Sequence, residues 1–229
     1  MSQVSIIGAY NTEFGFFVKV NRETKERTDL KSYYDLIIEA GKGAIEDSGL
    51  EPKDIDAVFL GSCSPAGFVN QEHPAPIATL IHPDLIYKPM TRTENACASS
   101  TTALYSAIYA IESGRFNNVL VIGAEKMNMV STKLMTHVLA CSSFYPEEGG
   151  AGMSFPALFA EYGKGYQAQY KISDEDLRRA FAEVAANGYR NGVHNPIAQQ
   201  KKGPQTAEEI LNLPDEGRGS NPMIAPPLR

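Results

Sequence analysis

The sequence has no run of about 18 apolar residues, so no helix read from it crosses a bilayer. It has only three cysteines, at positions 63, 97 and 141, and their spacing gives neither a metal-ligand pattern nor a disulfide framework. A sparse, odd count suits a reducing compartment, so a cytoplasmic setting is expected. There is no excess of basic residues: 21 Lys and Arg stand against 27 Asp and Glu, a net charge of −6. That argues against a dedicated nucleic-acid binder and leaves room for a local basic patch. The start, Met1 to Gly8, lacks the basic residues and length of a secretory signal and reads as a first strand. Internal repeats and low-complexity tracts are missing. Gly149-Gly150-Ala151-Gly152 has no strand–GxxxxGK[ST]–helix frame around it, so it reads as a flexible loop rather than a phosphate cradle.

What is present is an ordinary globular composition, 43% hydrophobic and 21% charged over 229 residues. The first half alternates strand and helix signals. Val4–Gly8 is the first strand. A helix over 30–48 places Leu30, Tyr33, Tyr34, Ile37, Ile38, Gly41, Ala44 and Ile45 on one face, with Asp29 as cap and Gly49 as stop. Strands follow at 55–61 and 91–95, with a short helix at 74–80 between them. A helix over 99–113 turns Ala103, Leu104, Ala107, Ile108 and Ile111 inward, and Gly114 closes it. Val119-Leu120-Val121-Ile122-Gly123 is wholly apolar, as expected of a strand at the centre of a sheet covered on both faces. The alternation predicts an α/β layer with crossover helices.

Beyond about residue 124 methionines cluster and helices dominate. Ser154-Phe155-Pro156 opens one helix and Ser173-Asp174-Glu175-Asp176 a second, with Leu177, Ala180, Phe181, Val184 and Ala185 inward. Thr206-Ala207-Glu208-Glu209 opens a short third. The organisation expected is 1–124 as a βα core, 125–218 as a helical, loop-rich insertion, and 219–229 as a strand returning to the core, extended by its prolines.

The candidate chemistry lies in Glu94-Asn95-Ala96-Cys97-Ala98-Ser99-Ser100. A cysteine sits at a turn, small residues follow, and an amphipathic helix begins. Unpaired backbone N–H groups and the dipole at a helix N-terminus favour a thiolate, the nucleophilic form of cysteine. The small residues leave room for a bulky acyl group. Asn95 shapes the turn. Cys63 reads as a small residue at a strand end and Cys141 as plain packing. His73 and His82 precede prolines and read as loop residues, and His137 and His194 carry no pattern that marks a base.

Asn95-Ala96-Cys97-Ala98-Ser99 followed by Val121-Ile122-Gly123-Ala124-Glu125-Lys126-Met127 resembles the thiolase family, nearest the sterol carrier protein X-like and acetyl-CoA acetyltransferase branch. Gly152-Met153-Ser154-Phe155-Pro156, Tyr189-Arg190-Asn191-Gly192, Asn195-Pro196 and the tail from Pro222 to Arg229 match in the same order, so the resemblance runs over essentially the whole chain. It implies a layered α/β/α/β/α fold of two similar halves, of which this chain supplies the N-terminal half and a loop domain for coenzyme A and acyl binding. The other half is expected beyond Arg229 with an acid/base histidine and cysteine. The resemblance implies an acyltransferase of lipid metabolism that takes an acyl group from acyl-CoA onto Cys97, in Claisen condensation or in thiolytic cleavage of a 3-oxoacyl-CoA. The alternatives are a thiolase-fold β-ketoacyl synthase, a retro-aldol lyase, or a non-catalytic half-thiolase scaffold. By the same resemblance Met153 and Phe155 line the acyl pocket, and the coenzyme A thioester is a substrate rather than a resident cofactor. No metal belongs to this chain. The family forms homodimers or tetramers, and a small zinc-ribbon/OB-fold protein is a further expected partner. Ser100 departs from the glycine of many relatives, which implies a more crowded helix start.

Overall fold

The computed structural model describes residues 4–199 and 201–213. The returning strand expected at 219–229 lies outside the described residues. The chain forms two compact units. One comprises the residues up to Thr12 together with Phe16–Val138; the other comprises Glu13–Gly15 and the chain from Leu139 onward.

The first unit begins with residues 4–12, which run outside any strand. This corrects the expected first strand at Val4–Gly8: the segment is apolar but pairs with no strand among the described residues. β1 (Val18–Val20) and β2 (Arg27–Asp29) then form an antiparallel hairpin that the sequence reading missed. α1 (Tyr33–Ser48) starts three residues later than expected. Ser32 caps it rather than Asp29, exchanging hydrogen bonds with Asp35 in a capping box. Gly49 ends it in the left-handed region at φ +71°, where a side chain would be strained.

β3 (Ala57–Gly61), the short α2 (Pro65–Val69), 3-10 turns at Ala75–Leu80 and Pro83–Leu85, β4 (Met90–Thr93), α3 (Ser99–Glu112) and β5 (Val119–Gly123) complete the α/β layer. The sheet is parallel, in the order β4-β3-β5. β5 is therefore an edge strand among the described residues, not the central one its composition suggested.

Side chains alternate across a strand. Val58 and Leu60 of β3 and Leu120 and Ile122 of β5 join Tyr33, Ile37 and Ile45 of α1 in one buried cluster. The odd-numbered positions face α3. At this second face the decisive residue is Gly61. A Cβ there would stand 2.5 Å from the N and Cα of Ser100, and a Cβ at Gly123 would strike the Ser100 side chain. Two glycines at the carboxyl ends of β3 and β5 thus let the first turn of α3 lie directly on the sheet. They also absorb the crowding expected from Ser100.

Beyond β5 the chain is clipped to the hairpin. The buried Lys126 ammonium donates to Asp29 Oδ1 at 2.6 Å and to the Lys31 carbonyl. Arg27 Nε donates to the Asn128 carbonyl at 3.2 Å, and the Asn128 amide donates to the Phe16 carbonyl. α4 (Thr132–Ala140) follows, a helix the Met-rich sequence did not reveal. A Cβ on Gly67 of α2 would meet the side chain of Val138 at 2.7 Å.

The second unit holds α5 (Phe155–Tyr170), α6 (Asp174–Gly192) and α7 (Ala207–Leu211), capped by Ser154, Ser173 and Thr206 as expected. The inward face of α6 is rotated from its expected position. Ala182 and Ala186 are buried with Leu177 and Ala185, whereas Ala180 and Val184 are exposed. The alanine face packs on Ala207 and Ile210 of α7. Small residues, not the larger Val184, allow that close helix contact. Cys141, expected to be packed, is exposed just after α4.

Candidate active site

Register fixes what meets at the carboxyl end of the sheet. Gly61 is paired with Thr93 on one side and Gly123 on the other. The segments leaving these three strands therefore emerge together, at the end where open parallel sheets place their ligands. They carry Cys97, Cys63 and Glu125.

From β4 the chain turns through Glu94–Ala98 into α3. Ala96 adopts φ +48°, a left-handed conformation that costs a residue with a Cβ about 1–2 kcal/mol. Several bonds hold it. Its N–H donates to Glu94 Oε1 at 2.5 Å, and its carbonyl accepts from the Ser99 hydroxyl at 2.7 Å. Ser99 Oγ in turn accepts from the Asn95 N–H at 2.9 Å, and Thr93 Oγ1 donates to the Ser99 carbonyl at 3.0 Å. Ala98 N–H closes the turn on the Asn95 carbonyl at 2.9 Å, so Asn95 shapes the turn through its backbone. Cys97 stands on this turn, exposed, one residue before the cap of α3. A strained turn held by a buried serine clamp, with an exposed thiol at its apex, is a geometry that suits a nucleophile.

Ser99 was read from sequence only as a small residue. Its role shows in its 4% exposure and in the two hydrogen bonds of its hydroxyl. A serine two residues after a turn cysteine, at the first position of the helix, was the available signal.

A second cluster, also missed, lies beside Cys63. Glu125 Oε2 accepts from the Cys63 N–H at 2.6 Å and from the Ser62 hydroxyl at 3.5 Å. The Tyr33 hydroxyl donates to Ser62 Oγ at 2.9 Å. Arg92 of β4 donates to the Ser62 carbonyl at 3.1 Å and the Cys63 carbonyl at 2.6 Å. Burial drives the Glu125 carboxyl above its ordinary range, against the pull of the Cys63, Ser64 and Ser62 hydrogen bonds and the Arg92 charge. Burial likewise pushes Tyr33 to about 12. Glu125 Oε1 is buried without a hydrogen-bond partner among the described residues. A charged residue two positions after an apolar strand was the signal for this cluster.

Met153 and Phe155 belong to the second unit. Met153 is half-buried and donates its N–H to the Glu148 carbonyl at 3.1 Å. Phe155 is the first residue of α5, its ring 6.3 Å from that of Phe159. His82 serves a local turn, its Nδ1 accepting from the Asp84 N–H at 3.2 Å. Among the described residues there is no His, Cys, Asp and Glu cluster fit to hold a metal, and no helix long and apolar enough to cross a membrane.

Residues 4–206 match the thiolase N-terminal domain. The acetyl-CoA acetyltransferase of Methanothermobacter thermautotrophicus is 36% identical over 231 residues, an alignment covering 100% of this chain and 53% of that protein. The chain spans about half the length of the curated relatives it matches. Two solved structures share the fold. The acetyl-CoA acetyltransferase from Syntrophomonas wolfei superposes with a TM-score of 0.60 at 18% identity, over 91% of this chain and 56% of that one. The Ltp2-ChsH2(DUF35) aldolase gives 0.60 at 22% identity, over 84% and 47%. The exposed turn cysteine therefore stands within an α/β layer of known descent: the chain belongs to the thiolase family and carries its N-terminal domain.

Proposed function

We propose that this chain provides the nucleophilic half of a thiolase-type acyltransferase acting on acyl-CoA. One observation carries the reading: an exposed cysteine on a strained, clamped turn at the N-terminus of α3, in a chain of this family. The Cys97 sulfur attacks the thioester carbonyl. A new sulfur–acyl bond forms, the bond to the coenzyme A sulfur breaks, and coenzyme A leaves as its thiol. Exchange between two thioesters is nearly balanced in energy, so the acyl group is held without being trapped and passes next to a carbanion or back to coenzyme A. The Cys97 N–H contributes to the oxyanion site. The acid/base histidine and cysteine come from the second half.

In this reading 125–218 is the loop domain, 219–229 returns to the core, and Met153 and Phe155 line the acyl pocket. Both side chains are apolar and half-buried at the start of α5, which suits that use. The enzyme is cytoplasmic and assembles as a dimer or tetramer. A small zinc-ribbon/OB-fold partner is part of this reading; the structural neighbour, the Ltp2-ChsH2(DUF35) aldolase, is itself named for two components. That structure also favours a second reading, in which the Cys97 site serves an aldolase and carries no acyl group.

One experiment separates them. The chain assembled with its second half is mixed with acetyl-CoA and examined by intact-mass spectrometry and peptide mapping. The acyltransferase reading expects one acetyl group on Cys97 and none in Cys97→Ala. An assembled, folded enzyme that turns over with Cys97 unmodified refutes it.

A further inference from the structure

Ser62, Cys63 and Ser64, the residues that leave β3, are held from both flanks by ionisable side chains. On one flank Glu125 Oε2 accepts from the Cys63 N–H at 2.6 Å, and the Ser64 N–H and the Ser62 hydroxyl bond to the same carboxyl. On the other, Arg92 donates through Nε to the Ser62 carbonyl at 3.1 Å and through Nη2 to the Cys63 carbonyl at 2.6 Å. Bonds from a charged donor such as this contribute about 1.5–3 kcal/mol each. The guanidinium also meets Glu72 Oε1 at 3.4 Å, but that carboxylate is 79% exposed, so the pair adds little. One loop is thus gripped between a side chain of β4 and a side chain just beyond β5.

The gripped loop is tied to the Cys97 turn through Thr93. Ser62 N–H donates to the Thr93 carbonyl at 3.3 Å, and the Thr93 hydroxyl donates to the Ser99 carbonyl at 3.0 Å. Ser99 is the residue whose hydroxyl joins the Asn95 N–H to the Ala96 carbonyl, and Cys97 follows Ala96. Arg92 directly precedes Thr93, so it fixes the strand that delivers the turn as well as the loop beside it. The bonds within 93–99 set the shape of the turn. The grip of Arg92 and Glu125 sets where that shape stands on the sheet. A turn with Ala96 at φ +48° persists only where its surroundings over-determine it. Burial disfavours the ionised form of Glu125, and what the carboxyl offers in return is its bonds to the 62–64 loop.

We propose that Glu125 and Arg92 are positioning residues for Cys97, acting on its turn through Ser62, Thr93 and Ser99 rather than on the acyl group. The inference rests on the reading of Cys97 as the nucleophile of an acyltransferase. In that reaction the sulfur must stand about 3–3.5 Å from the thioester carbonyl carbon, and a misplacement of about 1 Å costs about 10²-fold in rate. Releasing the 62–64 loop lets the turn drift on the sheet and leaves the groups that hold coenzyme A where they were. The loss therefore falls on the rate at saturating substrate and not on the concentration needed to saturate.

The test measures Cys97 acylation by acetyl-CoA in the chain assembled with its second half, together with amide hydrogen exchange on the same samples. Glu125→Ala removes the acceptor and Arg92→Met the two donors, so either flank can be read where the other variant does not fold. Each is expected to lower the saturating acylation rate by about 10²-fold at an unchanged half-saturating concentration. Each should also speed exchange at the Ala98 and Ser99 amides, which close the turn on Asn95 and Ala96, by about tenfold. Glu125→Gln keeps an acceptor oxygen for the Cys63 N–H and is expected to restore both readouts. Thr93→Val removes the hydroxyl through which the grip acts, so adding Glu125→Ala to it costs little more, whereas independent effects would multiply. Turn amides unchanged in the folded variants, a loss confined to the half-saturating concentration, no recovery in Glu125→Gln, or multiplying effects overturn the proposal. A wild-type enzyme whose Cys97 takes no acetyl group removes the acyltransferase reading instead, and the exchange readouts then decide the positioning role by themselves.

Discussion

Replacing Gly61 with alanine tests the contact that positions the Cys97 turn. The added Cβ stands 2.5 Å from Ser100 N and Cα, and both are backbone atoms in the first turn of α3. Non-bonded carbons settle at about 3.5–4.0 Å, so the sheet and helix must separate by about 1 Å. Overpacking of this kind costs about 1–3 kcal/mol, and the upper part of the range is expected because no rotamer change relieves it. With a urea m-value of about 2 kcal/mol/M, the unfolding midpoint falls by about 1 M at unchanged slope. The same displacement carries the Cys97 turn with it. A shift of about 1 Å costs about 10²-fold in rate where geometry matters, so acylation in the assembled enzyme falls well beyond the loss in stability. Gly123→Ala is the control: it meets Ser100 Oγ, which can rotate away, and Ser100 Cβ at 2.9 Å, a looser contact than the backbone atoms at Gly61, so its penalty stays below that of Gly61→Ala. Urea titration by circular dichroism, paired with mapped acylation of Cys97, reads both effects. A Gly61→Ala protein as stable and as readily acylated as wild type would show that α3 does not rest on β3 as described.

Ser99→Ala leaves the Asn95 N–H and the Ala96 carbonyl without their hydroxyl partner and is expected to cost about 1–3 kcal/mol in thermal or urea unfolding. Glu125→Gln addresses the carboxyl whose affinity for protons burial raises. The folded state then binds the proton more tightly than the unfolded one, so this group's contribution is full below the ordinary carboxylate range and is lost as pH rises through its raised folded value. The variant should gain stability over wild type at neutral pH, with the gap closing on acidification; urea midpoints that differ equally at both ends would contradict the assignment. Lys126→Met removes the buried ammonium that ties Asp29 and the Lys31 carbonyl to the chain after β5; because Asp29 keeps access to solvent, the expected loss is about 1.5–3 kcal/mol in unfolding free energy.

Much of the first unit was legible because its signals are local. The 3.6-residue spacing of Tyr33, Ile37, Gly41 and Ile45 gave α1, and Gly49 gave its end. Ala103 and Ala107 gave the inner side of α3, although Leu104 is 37% exposed. What failed depends on neighbours that the local sequence does not name. Val119–Gly123 is as apolar as a central strand, yet among the described residues it has one partner. Val4–Gly8 has the composition of a strand and no pairing among the described residues. The α6 face was misplaced because Val184 outranks Ala182 in hydrophobicity while the contact with α7 selects for small size. At the site, the Cys97 turn could be read from its small residues and the helix after it. The clamp by Ser99 and the union of Glu125 with the Ser62–Cys63 loop could not, since the latter joins residues 62 positions apart.

The hairpin clip also has a consequence for synthesis. Asp29 and Lys126 are separated by 97 residues. At about 5–20 residues per second, a ribosome needs roughly 5–20 s to make the second after the first. For that interval the nascent hairpin lacks this clip, and Phe16, 66% exposed in the finished unit, stands in the open. The N-terminal ribbon is thus the part of this domain most in need of shelter during translation.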